Sequence, residues 1–362
     1  MASLESELVE ANQGLLDLRS DWRKLHAVST SATLSNSWEW VSTWWDVYHQ
    51  DNWALYLVLF RDRGNLVGLA PLYRKRKRLH SELWLLGCGE DESDEVVSEY
   101  SDLLVCPGYT SDIGQEAWAH LEKLGRWSFL KLENVFPHSL VAELKSGLRL
   151  TRPAGVRYRL PLPENRAKFL ADRGSNMRRK FAQASTDGAR AAASEQVSRD
   201  WNSGGERAFD QLATLHNKRW RSKGQSGVFE SALFCRFHKQ LFVRYATDIG
   251  CEFRIICIDG EPLSALYNFS FGDTVYFYQS GFAEHSQVRS PGLLAHGLAI
   301  DEAISGNKAF YDLMRGDHDS YKIRFRCEVT DMCNITHYRK DVSPALFFLK
   351  DYLKSIVRKV LV

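Results

Sequence analysis

No stretch of this chain holds the ~20 consecutive apolar side chains that a membrane-crossing helix requires, so no such span is expected. An excess of one charge is missing too. Forty-seven Lys and Arg stand against 45 Asp and Glu, a net of +2. That balance argues against attraction of the whole protein to nucleic acid or a membrane surface. Cysteine is present seven times, an odd number, and no pair sits at Cys-x-x-Cys spacing. Neither a disulfide framework nor a zinc site is expected, which fits a reducing compartment. The first 30 residues are acidic and lack an apolar h-region, so no signal peptide is read there. The expectation is a cytoplasmic protein without a metal.

What is present is ordinary in bulk: 44% apolar and 25% charged residues, as in soluble globular proteins. A length of 362 suggests two domains. Pro153, Pro161 and Pro163 mark 151–163 as a linker, which places domains at 1–150 and 151–340, although 156–160 also reads as a strand. The tail from 341 to 362 contains a basic amphipathic helix over 344–362, with Lys350, Lys354, Arg358 and Lys359 among apolar residues. It either packs on the body or lies at a membrane interface, peripheral to the inner membrane.

In the first half, Leu4, Leu8, Leu15, Leu18, Trp22 and Leu25 recur at helical spacing and predict an amphipathic helix over 1–30. Trp38, Val41 and Trp45 share one helix face, a stripe that belongs to a core. Two apolar runs, 54–60 and 66–72, flank Asp62-Arg63-Gly64-Asn65 and read as a hairpin. The basic run Arg74-Lys75-Arg76-Lys77-Arg78 reads as a solvated loop or exposed edge. Strands at 83–86 and 103–105, a helix at 112–124 and a strand at 127–132 follow. Asp102 falls in a polar triplet that runs into the apolar strand.

The second half opens with a basic helix over 165–185, ended by Gly188, and helices over 207–220 and 231–246. Strands at 252–258, 263–271 and 274–280 are joined by Asp259-Gly260-Glu261 and Gly272-Asp273, strong hairpin signals. Then come Ser290-Pro291-Gly292, a helix to 305, a short strand over 310–314 and the polar cluster 315–322. Pro at the first helical position loses no hydrogen bond, and Ser290 can cap the helix. Free N–H groups and the macrodipole make such a terminus an anion site. Both halves share the order β-β-β-α-β, each with an Asp-and-Gly turn and a Pro-Gly dipeptide (Pro107-Gly108 and Pro291-Gly292), so the chain reads as two copies of one fold.

Ser290-Pro291-Gly292-Leu293-Leu294, Ala303-Ile304-x-Gly306 and Tyr311-Asp312-Leu313-x-Arg315-Gly316-Asp317-x4-Lys322 resemble the second half of GNAT-fold N-acyltransferases of the branch associated with cellulose and exopolysaccharide biosynthesis, relatives of the Fem-type peptidyltransferases. Ser98-Glu99-Tyr100-Ser101-Asp102-Leu103-Leu104 and Gly68-Leu69-Ala70-Pro71-Leu72 resemble its first half. The resemblance spans roughly residues 30 to 340. It implies an α/β (α+β) fold of two GNAT-like domains in tandem, each a mixed, mostly antiparallel sheet flanked by helices, the first degenerate. It also implies acetyl-CoA or another acyl-CoA as co-substrate, held at Gln287, Val288, Arg289, Ser290, Pro291, Gly292 and Leu293. The GNAT phosphate loop has the form Arg/Gln-x-x-Gly-x-Gly/Ala. This chain departs from it with a single glycine and a proline, and Arg289 stands as the compensating phosphate partner.

Acyl transfer to an amine needs a base, a group that polarises the thioester carbonyl, and an acid for the leaving thiolate. Asp317 and Asp102, at predicted strand ends, are candidate bases. Tyr278 and Tyr321 are candidate acids, Lys322 would hold an anionic substrate, and His216 is a further base or a packed core histidine. The expected acceptor is an amino group on a sugar, polysaccharide or lipid precursor of the bacterial envelope. The alternatives are a Fem-like aminoacyl transferase, where aminoacyl-tRNA would be the one nucleic-acid partner, and a non-catalytic nucleotide- or partner-binding GNAT pair in a polysaccharide machine. In the second half, Arg178, Arg179, Lys180, Arg219 and Arg221 leave room for a tRNA channel.

Overall fold

A computed structural model describes residues 4–144, 148–284 and 287–339. In chain order the elements are β1 (Leu4–Val9), α1 (Asn12–Asp17), α2 (Arg19–Val28), α3 (Trp38–Tyr48), β2 (Trp53–Asp62), β3 (Asn65–Arg76), β4 (Ser81–Leu85), β5 (Leu104–Val105), α4 (Thr110–Leu124), β6 (Phe129–Val135), β7 (Leu148–Pro161), α5 (Arg166–Ala171), α6 (Ser175–Arg190), β8 (Ser194–Ser198), α7 (Glu206–Ser222), α8 (Ala232–Tyr245), β9 (Cys251–Ile258), β10 (Glu261–Phe271), β11 (Thr274–Phe282), α9 (Pro291–Ser305), β12 (Phe310–Gly316) and β13 (Glu328–Tyr338). The predicted helix over 344–362 lies outside the described residues. Two units divide the chain, one holding residues 1–91, 95–154 and 331–362, the other 92–94 and 155–330.

The first unit orders its strands β1-β2-β3-β4-β6-β13, with β5 on β3. The second orders its own β8-β9-β10-β11-β12-β7. In both, a single pair is parallel and lies at the same place, β4 with β6 and β11 with β12; the other pairs of the path are antiparallel. A helix makes the crossover each time, α4 in one and α9 in the other, as parallel neighbours require. Each unit is thus a mixed, mostly antiparallel sheet with helices around it. The repeat read in the sequence is a repeat of topology. Its outer members, β1 and β8, and the closing strand β13 escaped the sequence reading, while of β7 only 156–160 was read as a strand.

Local chemistry explains the elements. The β2–β3 turn needs left-handed backbone at two positions, and Arg63 (φ 49°) and Gly64 (φ 81°) supply it. The Ser37 hydroxyl accepts from Trp40 N and starts α3. Trp38, Val41 and Trp45 are buried as expected, but so are Trp40, Thr43 and Trp44, so α3 is buried on nearly every side rather than along one stripe. Other expectations need correction. Residues 4–9 are a strand, not helix: Leu4 and Leu8 touch the core from an edge that pairs with β2. The 151–163 stretch is mostly strand β7, where Val156, Tyr158 and Leu160 alternate into the core. Of the basic run, Arg74 to Arg76 belong to β3. Lys75 is only 6% exposed, with its ammonium 4.4 Å from the Trp53 ring and 4.9 Å from the Trp84 ring.

Gly188 does not end α6 but lies within it. A Cβ there would stand 2.8 Å from Leu294 Cδ2, so the glycine allows α6 to approach α9. The second unit's core runs through Phe181, Leu266, Phe277, Ala295, Ile300 and Tyr311. It fixes α9 over the sheet.

Candidate active site

The second unit's sheet opens where β11 and β12 part. They pair only from Thr274 to Tyr276 against Phe310 to Asp312, while β11 continues to Phe282. Two irregularities cause the parting. On one side the β10–β11 register passes from Tyr267 opposite Gln279 to Asn268 opposite Phe277, so Tyr278 is an extra, bulged residue. On the other, β12 slips against β7 after Asp312, and Met314 takes φ 61°. The fully buried Asp312 carboxylate holds that kink. It accepts from Met314 N at 2.7 Å and from Arg157 Nε at 2.6 Å.

A cavity of about 420 Å³ fills the opening. Ser280, Gly281 and Phe282 of β11 form one wall, and the start of α9 from Ser290 to Leu293 forms another. His296, Tyr321, Arg324 and Phe325 close it, with Leu266, Met177 and Lys180. Among the described residues its lining carries four cations, Lys180, Arg219, Arg289 and Arg324, and no Asp or Glu. Arg219 lies over the Phe282 ring at 3.8 Å, and Arg289 Nε reaches Asp187 at 3.2 Å. Helix α9 adds its positive end to this field.

The Ser290 side chain makes no capping hydrogen bond, contrary to expectation; its backbone carbonyl instead takes Leu293 N and Leu294 N. Ser290 itself lines the cavity. Of the predicted donor-binding residues, Arg289, Ser290, Pro291, Gly292 and Leu293 line it. Val288 is packed in the core, and Gln287 is exposed outside the lining.

The candidate catalytic residues do not all gather there. Tyr321 lines the cavity and is 47% exposed. Lys322 turns its ammonium to the Arg315 carbonyl. Asp317 is exposed on the turn between β12 and Tyr321, and its backbone carbonyl accepts from the Tyr158 hydroxyl at 2.7 Å. Tyr278 points its hydroxyl at His238 Nε2 on α8, 3.0 Å away. His216 borders the wall: its Nδ1 donates to the Ser280 carbonyl at 2.9 Å. Burial pushes its pKa down to about 4. Asp102 belongs to the first unit, where its carboxylate accepts from Leu103 N, Leu140 N and Val141 N at 2.8, 2.9 and 2.8 Å.

Sequence reasoning missed Phe325, Arg324, Gly281 and His296 as lining residues. For His296 a signal existed: it follows Gly292 by four residues, which sets both on one face of α9. For Arg324 and Phe325 none did, because a short 3₁₀ turn at Tyr321–Phe325 brings them back to the cavity.

The fit to an acyl-CoA can be judged on these groups. Cations and a helix start suit its phosphates, and the unpaired edge of β11 beyond Tyr276 offers backbone groups to an amide-bearing arm. The glycine cradle is weak: a Cβ on Gly292 would meet only Phe282, at 3.5 Å. Among the described residues no group of three or more His, Cys, Asp or Glu is placed to hold a metal ion, and no helix is long and apolar enough to cross a membrane.

A comparison with curated proteins found no match. The chain is similar in structure to FemX (TM-score 0.60, 11% identity, covering 92% of this chain and 97% of that one). It is also similar to the C-terminal domain of a putative lysylphosphatidylglycerol synthetase from Agrobacterium fabrum (0.54, 9%, 95% and 96%). A tandem GNAT protein from the clavulanic acid biosynthesis pathway is a third such structure (0.50, 14%, 94% and 99%). At these identities the likeness is one of fold. Residues 175–322, from the start of α6 to Lys322, match the family model of the acetyltransferase (GNAT) domain, and that stretch lies in the unit that holds the cavity.

Proposed function

We propose that the cavity between β11 and α9 binds an acyl-CoA and that the protein transfers the acyl group to an amine. The acceptor in this reading is an amino group on a sugar or lipid precursor of the bacterial envelope or an exopolysaccharide. The observation that carries the donor half is the charge of the lining: among the described residues, four cations, no carboxylate, and a helix start in one cavity. Phosphate esters are the groups such a lining stabilises most. The acceptor half is supported by the resemblance of the Ser290-Pro291-Gly292 and Arg315-Gly316-Asp317 motifs to the exopolysaccharide branch.

In this reading Arg289 and Lys180 hold phosphate oxygens near the start of α9. The splayed edge of β11 aligns the donor's arm, so that the thioester lies beside the Tyr278 bulge. Asp317, on the exposed turn beside Tyr321, takes the proton of the incoming ammonium. Tyr321 protonates the departing thiolate. The same cations would also suit the phosphates of an aminoacyl-tRNA, so the test carries both donors. Full-length protein is titrated with acetyl-CoA, longer acyl-CoAs and aminoacyl-tRNA, and free thiol is read with amino sugars as acceptors. Saturable acyl-CoA binding with thiol release is expected. No acyl-CoA binding at ~1 mM, about −4 kcal/mol, would overturn the reading. Saturable binding of aminoacyl-tRNA in its place would make that the donor.

A further inference from the structure

His296 is a lining residue whose chemistry the donor-binding reading leaves unused. It lies in the second turn of α9, is 5% exposed, and faces the cavity. Its ring stands edge-on to Phe277 at 4.5 Å and to Phe325 at 5.7 Å, which fixes its plane. Its Nδ1 is 3.0 Å from the Tyr311 hydroxyl.

Those contacts decide where the protons are. Tyr311 is fully buried, and among the described residues its hydroxyl meets no partner except His296 Nδ1. A buried O–H without an acceptor costs about 1–3 kcal/mol. Tyr311 therefore donates to Nδ1. That nitrogen then carries no hydrogen, and a neutral imidazole must carry its proton on Nε2. Nε2 has no partner among the described residues and is not one of the sealed polar atoms, so it opens on the cavity. Burial, helped by the nearby Lys322 charge, keeps the ring from taking a second proton. The only nitrogen His296 offers the cavity is thus a donor, not a base.

We propose that His296 is a fixed, neutral N–H donor of this cavity, locked as the Nε2–H tautomer by Tyr311, and that it serves the carbonyl oxygen of the bound thioester. The role rests on the acyl-CoA reading; the tautomer does not. When the amine nitrogen bonds to the carbonyl carbon, the C=O π pair moves onto oxygen, where the Nε2–H bond meets the growing charge. When that pair returns, the C–S bond breaks, Tyr321 gives its proton to the sulfur, and the second proton shed by the amine restores the Tyr321 hydroxyl. A neutral imidazole can stabilise an oxyanion without giving up its proton. A preorganised donor of this kind is worth roughly 10²–10³ in turnover.

The test joins two measurements on the full chain. Nitrogen-15 NMR of the imidazoles should show His296 as the neutral Nε2–H tautomer throughout pH 5–8, and Tyr311→Phe should abolish that preference. In kinetics, His296→Leu should lower kcat roughly 100-fold while the acetyl-CoA Kd stays within about threefold, and His296→Gln, which keeps an N–H, should recover at least about tenfold. An Nδ1–H tautomer, titration between pH 5 and 8, or unchanged kcat in folded His296→Leu would overturn the proposal. Failure of the wild type to bind acyl-CoA would overturn the acyl-CoA reading and the thioester role with it, while the NMR result still decides the tautomer.

Discussion

A Cβ on Gly281 would stand 2.6 Å from the backbone nitrogen of His216 and 2.7 Å from Leu215 Cβ, so β11 and α7 meet with no room for a side chain at the cavity wall. Gly281 is therefore a packing requirement of the site rather than a flexible point. Gly281→Ala must push α7 outward, and overpacking of this kind costs about 1–3 kcal/mol. Denaturant unfolding should show that loss, and acetyl-CoA binding should weaken at a temperature where the variant is folded. A variant as stable as the wild type would contradict the contact.

Two aspartates drawn from the sequence as candidate bases should separate cleanly. Asp317 sits on the exposed turn that leads to Tyr321. Asp317→Asn should lower turnover by more than about tenfold without unfolding the protein, since positioned acid–base groups contribute roughly 10²–10⁴. A normal rate would remove Asp317 from the mechanism. Asp102 instead gathers three backbone N–H groups of the 103–141 region. Asp102→Ala leaves those donors unpaired, and a loss of about 2–3 kcal/mol is expected in unfolding experiments. Turnover per folded molecule should stay at the wild-type level.

The imidazole of His216 gives the second unit a pH dependence whose sign is fixed. Its folded pKa, about 4, lies below the ordinary 6.5 because burial penalises the charged ring. Between these values the unfolded chain binds a proton that the folded chain does not. Stability contributed by the neutral ring is full above about pH 6.5 and is lost as pH falls toward about 4, by roughly 3 kcal/mol at most. His337 in the first unit, also near 4, acts in the same direction, while Asp102, raised to about 6 by burial, acts against it. His216→Asn can keep the donor to the Ser280 carbonyl but cannot titrate. Unfolding free energies at pH 7.5 and 5 should differ less in this variant than in the wild type; an equal difference would contradict the assignment.

Much of this was legible in the sequence, and the reasons for the rest are physical. Hairpins announced themselves through Asp62-Arg63-Gly64-Asn65 and Asp259-Gly260-Glu261, because left-handed turn positions restrict the residues that fill them. Helix α3 followed from the helical period of Trp38, Val41 and Trp45. Strand β1 did not, since Leu4 and Leu8 fit a period of four as well as a period of two. Lys75 was read as solvated because a charge run carries no record of the Trp53 and Trp84 rings that cover it. At the site, the contiguous residues Arg289 to Leu293 were readable as a helix start. Lys180, Arg219 and Arg324 come from three separate helical segments, and only the fold brings them to one cavity. The Tyr311–His296 bond, fifteen residues apart in sequence, is likewise a product of β12 passing beneath α9.

The most direct test of the central claim is calorimetric titration of the full chain with acetyl-CoA, wild type beside Arg219→Met and Arg324→Met. Saturable binding of one acetyl-CoA per chain is predicted for the wild type, weakened about tenfold, or 1.4 kcal/mol, by each substitution and weakened again by added salt. No heat of binding at ~1 mM ligand, or the same affinity in all three proteins, would contradict it.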